Sequence, residues 1–329
     1  MNSFVGACAS CASYLSSPNA SARTEIQFVF DTKCQPEVGS ASISTGLPFL
    51  AGAGNYENFR IAPDGLTYTQ GNSFCTYIGD DRALLVHWID EAEFGNLAQT
   101  AEAIYDRLLS QANALGFPYW VRVWNYFADI NEEERGLERY RHFCKGRFEA
   151  LTRYKIDERD YPSACALGHQ GGNVLVYALV SRERPEHFEN PRQLAAYHYP
   201  AEYGPRSPSF ARASILRGAA GTASLFVSGT ASVVGHETVC KDDLAGQVRT
   251  TLENIRELIA HVTSTSAYSK GVNWSANVLK VYVRHIKDVE LIKHLIEQEY
   301  RDVPCVYVHA DVCRADLLFE MDGIWNPTI

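Results

Sequence analysis

Two stretches of this 329-residue chain carry the same order of elements, and that repetition restricts the fold more than any single motif. In the first, Leu97, Ala101, Ile104, Leu108 and Leu115 recur at helical spacing, and Gly116 ends the run. PYWVRVWNYF (118–127) follows as a strand rich in β-branched and aromatic residues, and a second helix is expected over about 137–151. In the second stretch, Leu244, Val248, Leu252, Ile255, Ile259 and Val262 fall on one helix face, with Asp242 and Asp243 near its positive end. NVLKVYVRHI then reads as a strand, followed by a helix over 288–300 and the strands VPCVYVHA and ADLLFEM. VRVWNYFADI and LKVYVRHIKD stand as equivalent strands in two copies of one helix-on-sheet unit. The expected fold is therefore α+β: two units, each with helices packed on one face of a mixed β-sheet. Two domains also agree with a length rule of roughly 150 residues per domain. The charged segment 155–162, ending in Pro162, places the boundary, giving domains 1–155 and 156–329.

Charge excludes one class of partner. With a net charge of -9 the chain lacks the basic face that neutralises phosphates, so no nucleic-acid partner is expected. An acidic protein that binds a small anion must collect a few arginines in one pocket. The nine cysteines are odd in number and irregular in spacing, which reads as reduced thiols in the cytoplasm. Cys8 and Cys11 form a lone C-x-x-C without a second pair or a His pair, so no metal site follows from them. The N-terminus has no basic leader, and no segment approaches the ~20 apolar residues of a membrane span. No G-x-G-x-x-G, Walker loop or H-E-x-x-H occurs, so no cofactor is expected.

Four segments could carry chemistry. In GLERYRHFCKGRFEAL, Leu137, Tyr140, Cys144 and Arg147 share one helix face. Arg147 then points inward, either to an internal ion pair, or out along the surface, or as a carboxylate-binding guanidinium beside a tyrosine hydroxyl. In AAYHYPAEYGPRSPSFARAS (195–214), Tyr197, Tyr199, Tyr203, Arg206 and Arg212 cluster in a Pro-rich loop, with Arg212 where a strand begins. That loop covers a surface or supplies a second arginine clamp; a long loop inside a compact domain is usually functional. The run RERPEHFENP before it reads as a polar loop. LFVSGTASVVGHETV (225–239) reads as a strand, a tight Gly-Thr-Ala-Ser segment and a second strand ending at His236. Backbone N–H groups near Gly229 could face an anion, while Ser228 and Ser232 lack a nucleophile elbow. In ADLLFEM, Leu317, Phe319 and Met321 alternate on one face, and Glu320 shares the other with Leu318. Glu320 is either solvated or a carboxyl whose pKa is raised by apolar neighbours.

The run NPRQLAAYHYPAEYGPRSPSFARA, SGTASVVGHET after it and ADLLFEMDGIW near the end closely resemble the chorismatase family. RVWNYFADIN and GLERYRHFCKGR resemble that family's N-terminal part, so the resemblance covers the chain from about residue 25 onward. It implies RidA/YjgF-like α+β modules, arranged as a pseudo-trimeric monomer or a homotrimer. It implies chorismate as the small-molecule substrate, bound by Tyr140, Arg147, Tyr199 and Arg212, with Glu320 as the catalytic acid. Glu320 would give its proton to the terminal methylene of the enolpyruvyl ether, with no cofactor and no metal. One branch of the family hydrolyses the substrate to a cyclohexadiene diol acid; others form 3-hydroxybenzoate, some with 4-hydroxybenzoate. Cys313 matches a cysteine associated with the hydroxybenzoate-forming branches, which favours 3-hydroxybenzoate and pyruvate as products. A RidA-like imine-hydrolysing or ligand-binding protein is the competing reading.

Overall fold

The computed structural model describes residues 26–33, 42–61, 67–169, 171–218, 222–268 and 271–328; Cys8 and Cys11 lie outside them. Two seven-stranded mixed sheets form its frame. The first carries α1 (Leu97–Ala114) and α2 (Arg139–Arg153) on one face, and the second carries α3 (Leu244–Thr265) and α4 (Val289–Glu297). Each unit has the same crossover. Strand Tyr119–Ala128 runs through α2 to the parallel strand Ser163–His169, and strand Trp274–Val283 runs through α4 to the parallel strand Cys305–His309. An antiparallel strand then lies on the other side of each central strand: Asn173–Ser181 in the first unit and Phe319–Pro327 in the second. The repeat expected from VRVWNYFADI and LKVYVRHIKD is thus a repeat of topology. A parallel pair needs a crossover of this length, and a helix is its usual form.

Local sequence sets the helix ends. Asn96 accepts from the Gln99 N–H at the start of α1, and Asp243 accepts from the Gly246 N–H at the start of α3. α1 and α2 cross closely because residue 146 is glycine: a Cβ there would lie 2.0 Å from the Ala98 carbonyl oxygen.

Three expectations need correction. The boundary placed at 155/156 cuts the first unit, because Ser163–His169 and Asn173–Ser181 pair on either side of Tyr119–Ala128. The charged segment is the return loop of the crossover. The run RERPEHFENP contains an edge strand, Glu186–Phe188, which pairs with Ala213–Arg217. Finally, Gly229 sits inside strand Ala223–Thr230, where the register with Phe319–Pro327 shifts; the following segment is a small hairpin of Val233–Val234 and Glu237–Thr238 with Gly235 and His236 at its turn.

The two units share edges and a core. Asp311–Val312 pairs with the first sheet and Phe49–Gly52 with the second. The sheet faces turned away from the helices close on each other and on a three-stranded sheet of Ile26–Val29, Ser42–Ser44 and Tyr56–Phe59. Strand Phe319–Pro327 shows how alternation divides these cores: Phe319, Met321 and Trp325 face α3 and α4, while Ile324 packs with the central core.

Asp322 lies on that second face and is buried within a network of charges. Arg122 Nη2 donates to Asp322 Oδ2 at 2.6 Å, the Tyr282 hydroxyl donates to the same oxygen at 2.9 Å, and Lys280 Nζ donates to Glu57 Oε2 at 2.5 Å. Tyr126 extends the chain of hydroxyls to Tyr177 at 2.9 Å and Tyr282 at 3.2 Å. Arg122 comes from the first sheet, Lys280 and Asp322 from the second, and Glu57 from the small sheet. A buried ion pair is a weak source of net stability, but removing one partner strands the other charge in low dielectric. Asp322→Ala should therefore cost about 3–5 kcal/mol in urea denaturation, and Arg122→Met with Asp322→Leu should cost less than the single change. A single-variant loss within experimental error would show that the network does not join the sheets.

Candidate active site

A cavity of about 700 Å³ opens at the seam between the units, and Tyr140, Arg147, Tyr199, Arg212, Cys313 and Glu320 all line it. The first unit contributes α2 and the strand residues Ala164, Cys165 and Ala166. The second contributes the loop through Tyr199 and Tyr203, Arg212, Gly229 and the segment 313–317.

Glu320 stands at the start of its strand, opposite Tyr282, and only 4% of its surface is exposed. Its carboxyl lies against backbone: a Cβ on Gly229 would fall 1.9 Å from Glu320 Oε1 and 2.9 Å from the Cys165 Cβ. Glycine at 229 therefore makes room for the carboxyl, a role different from the anion-facing N–H groups expected there. Burial pushes the Glu320 pKa up to about 8, and the charge of Asp322 adds to the rise; Arg122 and Arg212 pull the other way. The carboxyl is thus held protonated at neutral pH, as an acid that donates requires.

Arg147 and Arg212 are both buried. Among the described residues no carboxylate lies within 4.0 Å of the Arg147 guanidinium, which removes the internal ion pair as its reason for facing inward. Its Nε has no hydrogen-bond partner, and its guanidinium lies 5.2 Å from the Phe143 ring centroid. Arg212 Nη2 donates to the Tyr199 hydroxyl at 2.8 Å and to the Leu194 carbonyl at 3.2 Å. Glu189 approaches Arg212 Nε only to 4.0 Å, and both atoms lack a hydrogen-bond partner. Burial raises the Glu189 pKa to about 7, so that acid neutralises Arg212 weakly. Each arginine keeps donor capacity for an anion, which is the costly arrangement unless a ligand completes it.

Cys313 packs against Ala231, Val233, Val312 and Leu317 and lines the wall. Burial, with the nearby Glu320 charge, raises its pKa, so it enters as a neutral thiol. Tyr140 lines the same wall, its hydroxyl pKa also raised by burial.

Other candidates resolve as structure. Ser228 accepts from the Ala164 N–H at 2.8 Å and donates to the Ala211 carbonyl at 2.6 Å, joining the two units. Ser232 donates to the Val239 carbonyl. His236 meets the Tyr203 hydroxyl at 3.2 Å through Nδ1. Arg206 lies outside the cavity, 4.3 Å over the Phe148 ring, and Tyr197 packs edge-on against Tyr161. Sequence reasoning missed Cys165 and Arg314, which also line the cavity. Neither stands in a distinctive pattern: Cys165 reads as one small residue in a buried strand, and Arg314 lies in an irregular segment. Among the described residues no cluster of three or more His, Cys, Asp or Glu side chains could hold a metal ion, and no helix is long and apolar enough to cross a membrane.

The chain is similar to known proteins over most of its length. Residues 65–180 match the family model described as "Chorismatase FkbO/Hyg5-like, N-terminal". A 3-hydroxybenzoate synthase of Streptomyces hygroscopicus is 40% identical over 239 residues, covering 70% of each chain. A chorismatase of Streptomyces rapamycinicus is 39% identical, covering 70% of this chain and 71% of the relative. A crystal structure of a chorismatase superposes with a TM-score of 0.79 at 29% identity, covering 94% of this chain and 96% of the other. With that identity over more than two thirds of both sequences, and the whole fold in common, the chain belongs to the chorismatase family.

Proposed function

We propose that this chain cleaves chorismate into pyruvate and 3-hydroxybenzoate, with Glu320 as the acid and Arg147 and Arg212 as carboxylate clamps. One observation carries the reading: a buried, protonated carboxyl shares a cavity with two guanidiniums that the protein leaves without a close anionic partner. Chorismate is a dianion with a ring carboxylate and an enolpyruvyl carboxylate, and each charge-assisted contact contributes roughly 1.5–3 kcal/mol. The relative named 3-hydroxybenzoate synthase supports the product.

The chemistry follows from where the proton goes. Glu320 protonates the terminal methylene carbon, which becomes the methyl group of pyruvate, and positive charge develops at the ether carbon. The bond between ring carbon and ether oxygen breaks, its electron pair forming the keto group of pyruvate. The neighbouring ring hydroxyl attacks the ring carbon left electron-poor and gives its proton back to the Glu320 carboxylate, bridging the two carbons as an epoxide. The oxygen's bond to its original carbon then breaks, the oxygen takes up a proton as the carbon it now occupies loses one, and the aromatic ring results with its hydroxyl at position 3. No water is consumed, because pyruvate and hydroxybenzoate together contain the atoms of chorismate. Water exclusion therefore selects this route over the diol, and Cys313 on the cavity wall is suited to that part. A minor 4-hydroxybenzoate product would follow if the oxygen kept its original carbon and that carbon lost its proton. Tyr140, Arg147, Tyr199, Arg212, Cys313 and Glu320 all come from one chain, which supports a site carried within a monomer, and the six free cysteines among the described residues suit a cytoplasmic setting.

Incubation with chorismate, read by chromatography and a pyruvate assay, should give pyruvate and 3-hydroxybenzoate in equal amounts. Glu320→Gln should still bind substrate but turn over ~10²- to 10⁴-fold more slowly. The active form is protonated, so wild-type kcat/KM should hold below about pH 8 and fall above it. A Glu320→Gln rate near wild type removes this carboxyl from the reaction.

Gly229→Ala tests the packing around the acid. Its Cβ would displace the Glu320 carboxyl, so kcat should drop by more than about ten-fold while KM changes little. An unchanged kcat would mean that the acid works from another position.

A further inference from the structure

Arg141 and Arg314 line the cavity besides Arg147 and Arg212, and none of the roles above uses Arg314. Its Nη1 donates to the His236 carbonyl at 2.8 Å and meets Thr238 Oγ1 at 3.3 Å. Its guanidinium lies 4.5 Å from the Tyr203 ring centroid and 5.3 Å from that of Tyr199. Nearby charges on the same lining are answered by the protein: Arg141 pairs with Glu138 at 3.1 Å, and Lys241 with Asp316 at 3.1 Å. Among the described residues no carboxylate lies within 4.0 Å of Arg314. Two fixed acceptors and two aromatic faces hold a planar cation whose remaining donors are free to meet an anion.

Position decides which anion. The Tyr199 ring borders both Arg314 and Arg212, whose guanidinium lies 5.9 Å from the same centroid while donating to the hydroxyl. Arg212 is also the clamp whose charge is felt at Glu320, whereas Arg147 sits with Tyr105 and Phe143 on the α2 side. The carbon that Glu320 must protonate is bonded to the carbon carrying the side-chain carboxylate, so that carboxylate belongs near Arg212.

We propose that Arg314 joins Arg212 in binding the side-chain carboxylate of the substrate, and so makes the site select dicarboxylates over monocarboxylates. This rests on the reading of Arg147 and Arg212 as carboxylate clamps. Arg314 acts as a binding residue; its bond to the His236 carbonyl sets its direction and also fastens the hairpin that carries Gly235.

Calorimetry with two ring ligands differing only in the second carboxylate separates these possibilities: 3-(carboxymethoxy)benzoate and 3-methoxybenzoate. Wild type should prefer the dicarboxylate. Arg314→Gln, which keeps a donor for the His236 carbonyl, should weaken the dicarboxylate roughly ten-fold or more and leave the monocarboxylate within about two-fold. Arg314→Lys should recover part of the loss, since charge remains without the planar fork. Equal weakening of both ligands, or none for the dicarboxylate, overturns the assignment of Arg314 while the wild-type preference leaves the two-clamp site standing. A wild type without that preference overturns both. Retained monocarboxylate binding also shows that the variant is folded.

Discussion

The buried pairing of Arg122 with Asp322, and of Lys280 with Glu57, is the constraint from which the site follows. Four charges of zero net sum lie where the two large sheets and the small sheet meet, and each is held by a partner from a different strand. Such a set fixes register, because slipping strand Phe319–Pro327 by one residue would send Asp322 into the apolar layer beneath α3 and α4. The same register puts Glu320, two residues earlier on the same face, at the open end of the seam. Asp322 then acts on Glu320 through space, adding to the effect of burial in keeping that carboxyl neutral. One strand thus places an ion-paired carboxylate inside the frame and a protonated one in the cavity.

An acidic chain that takes a dianion must separate its own negative charge from the binding groups. Here most carboxylates near the site are paired, protonated or held back from the arginines, and Glu237 on the lining is exposed to solvent. Glu138 and Asp316 are engaged by Arg141 and Lys241, Glu320 is neutral, and Glu189 stays 4.0 Å from Arg212 with its own pKa near neutrality. The guanidiniums of Arg147, Arg212 and Arg314 keep their field inside a low-dielectric pocket, where it is strongest. In the proposed reaction that field also favours departure of the side chain with its electron pair. The acid in that reaction needs no base beside it, because the proton it gives goes to carbon and the ring hydroxyl returns one.

Much of this was legible in the sequence, and the parts that were not share a cause. The period of α1 and α3 and the alternation around Glu320 are local properties, and they were read from spacing alone. Arg147 facing inward followed from the helix face it shares with Tyr140 and Cys144. The domain boundary was misplaced because a charged crossover loop and an interdomain linker have the same composition; only the parallel pairing of Ser163–His169 with Tyr119–Ala128 tells them apart. Lys280 and Asp322 look like ordinary charges in alternating strands, and their burial depends on the small sheet far away in sequence. Gly229 was noticed for its N–H groups, yet what matters there is the missing side chain, a property of the neighbour it accommodates. Arg314 takes its meaning from a hairpin almost eighty residues earlier.

Burial, helped by Asp322, keeps Glu320 protonated at neutral pH. Infrared difference spectroscopy reads this directly, through the carbonyl stretch of a protonated carboxyl assigned by its loss in Glu320→Gln. The Glu320 band should persist through neutrality and disappear with a midpoint near pH 8. A midpoint in the ordinary carboxylate range, near pH 4 to 5, would contradict it.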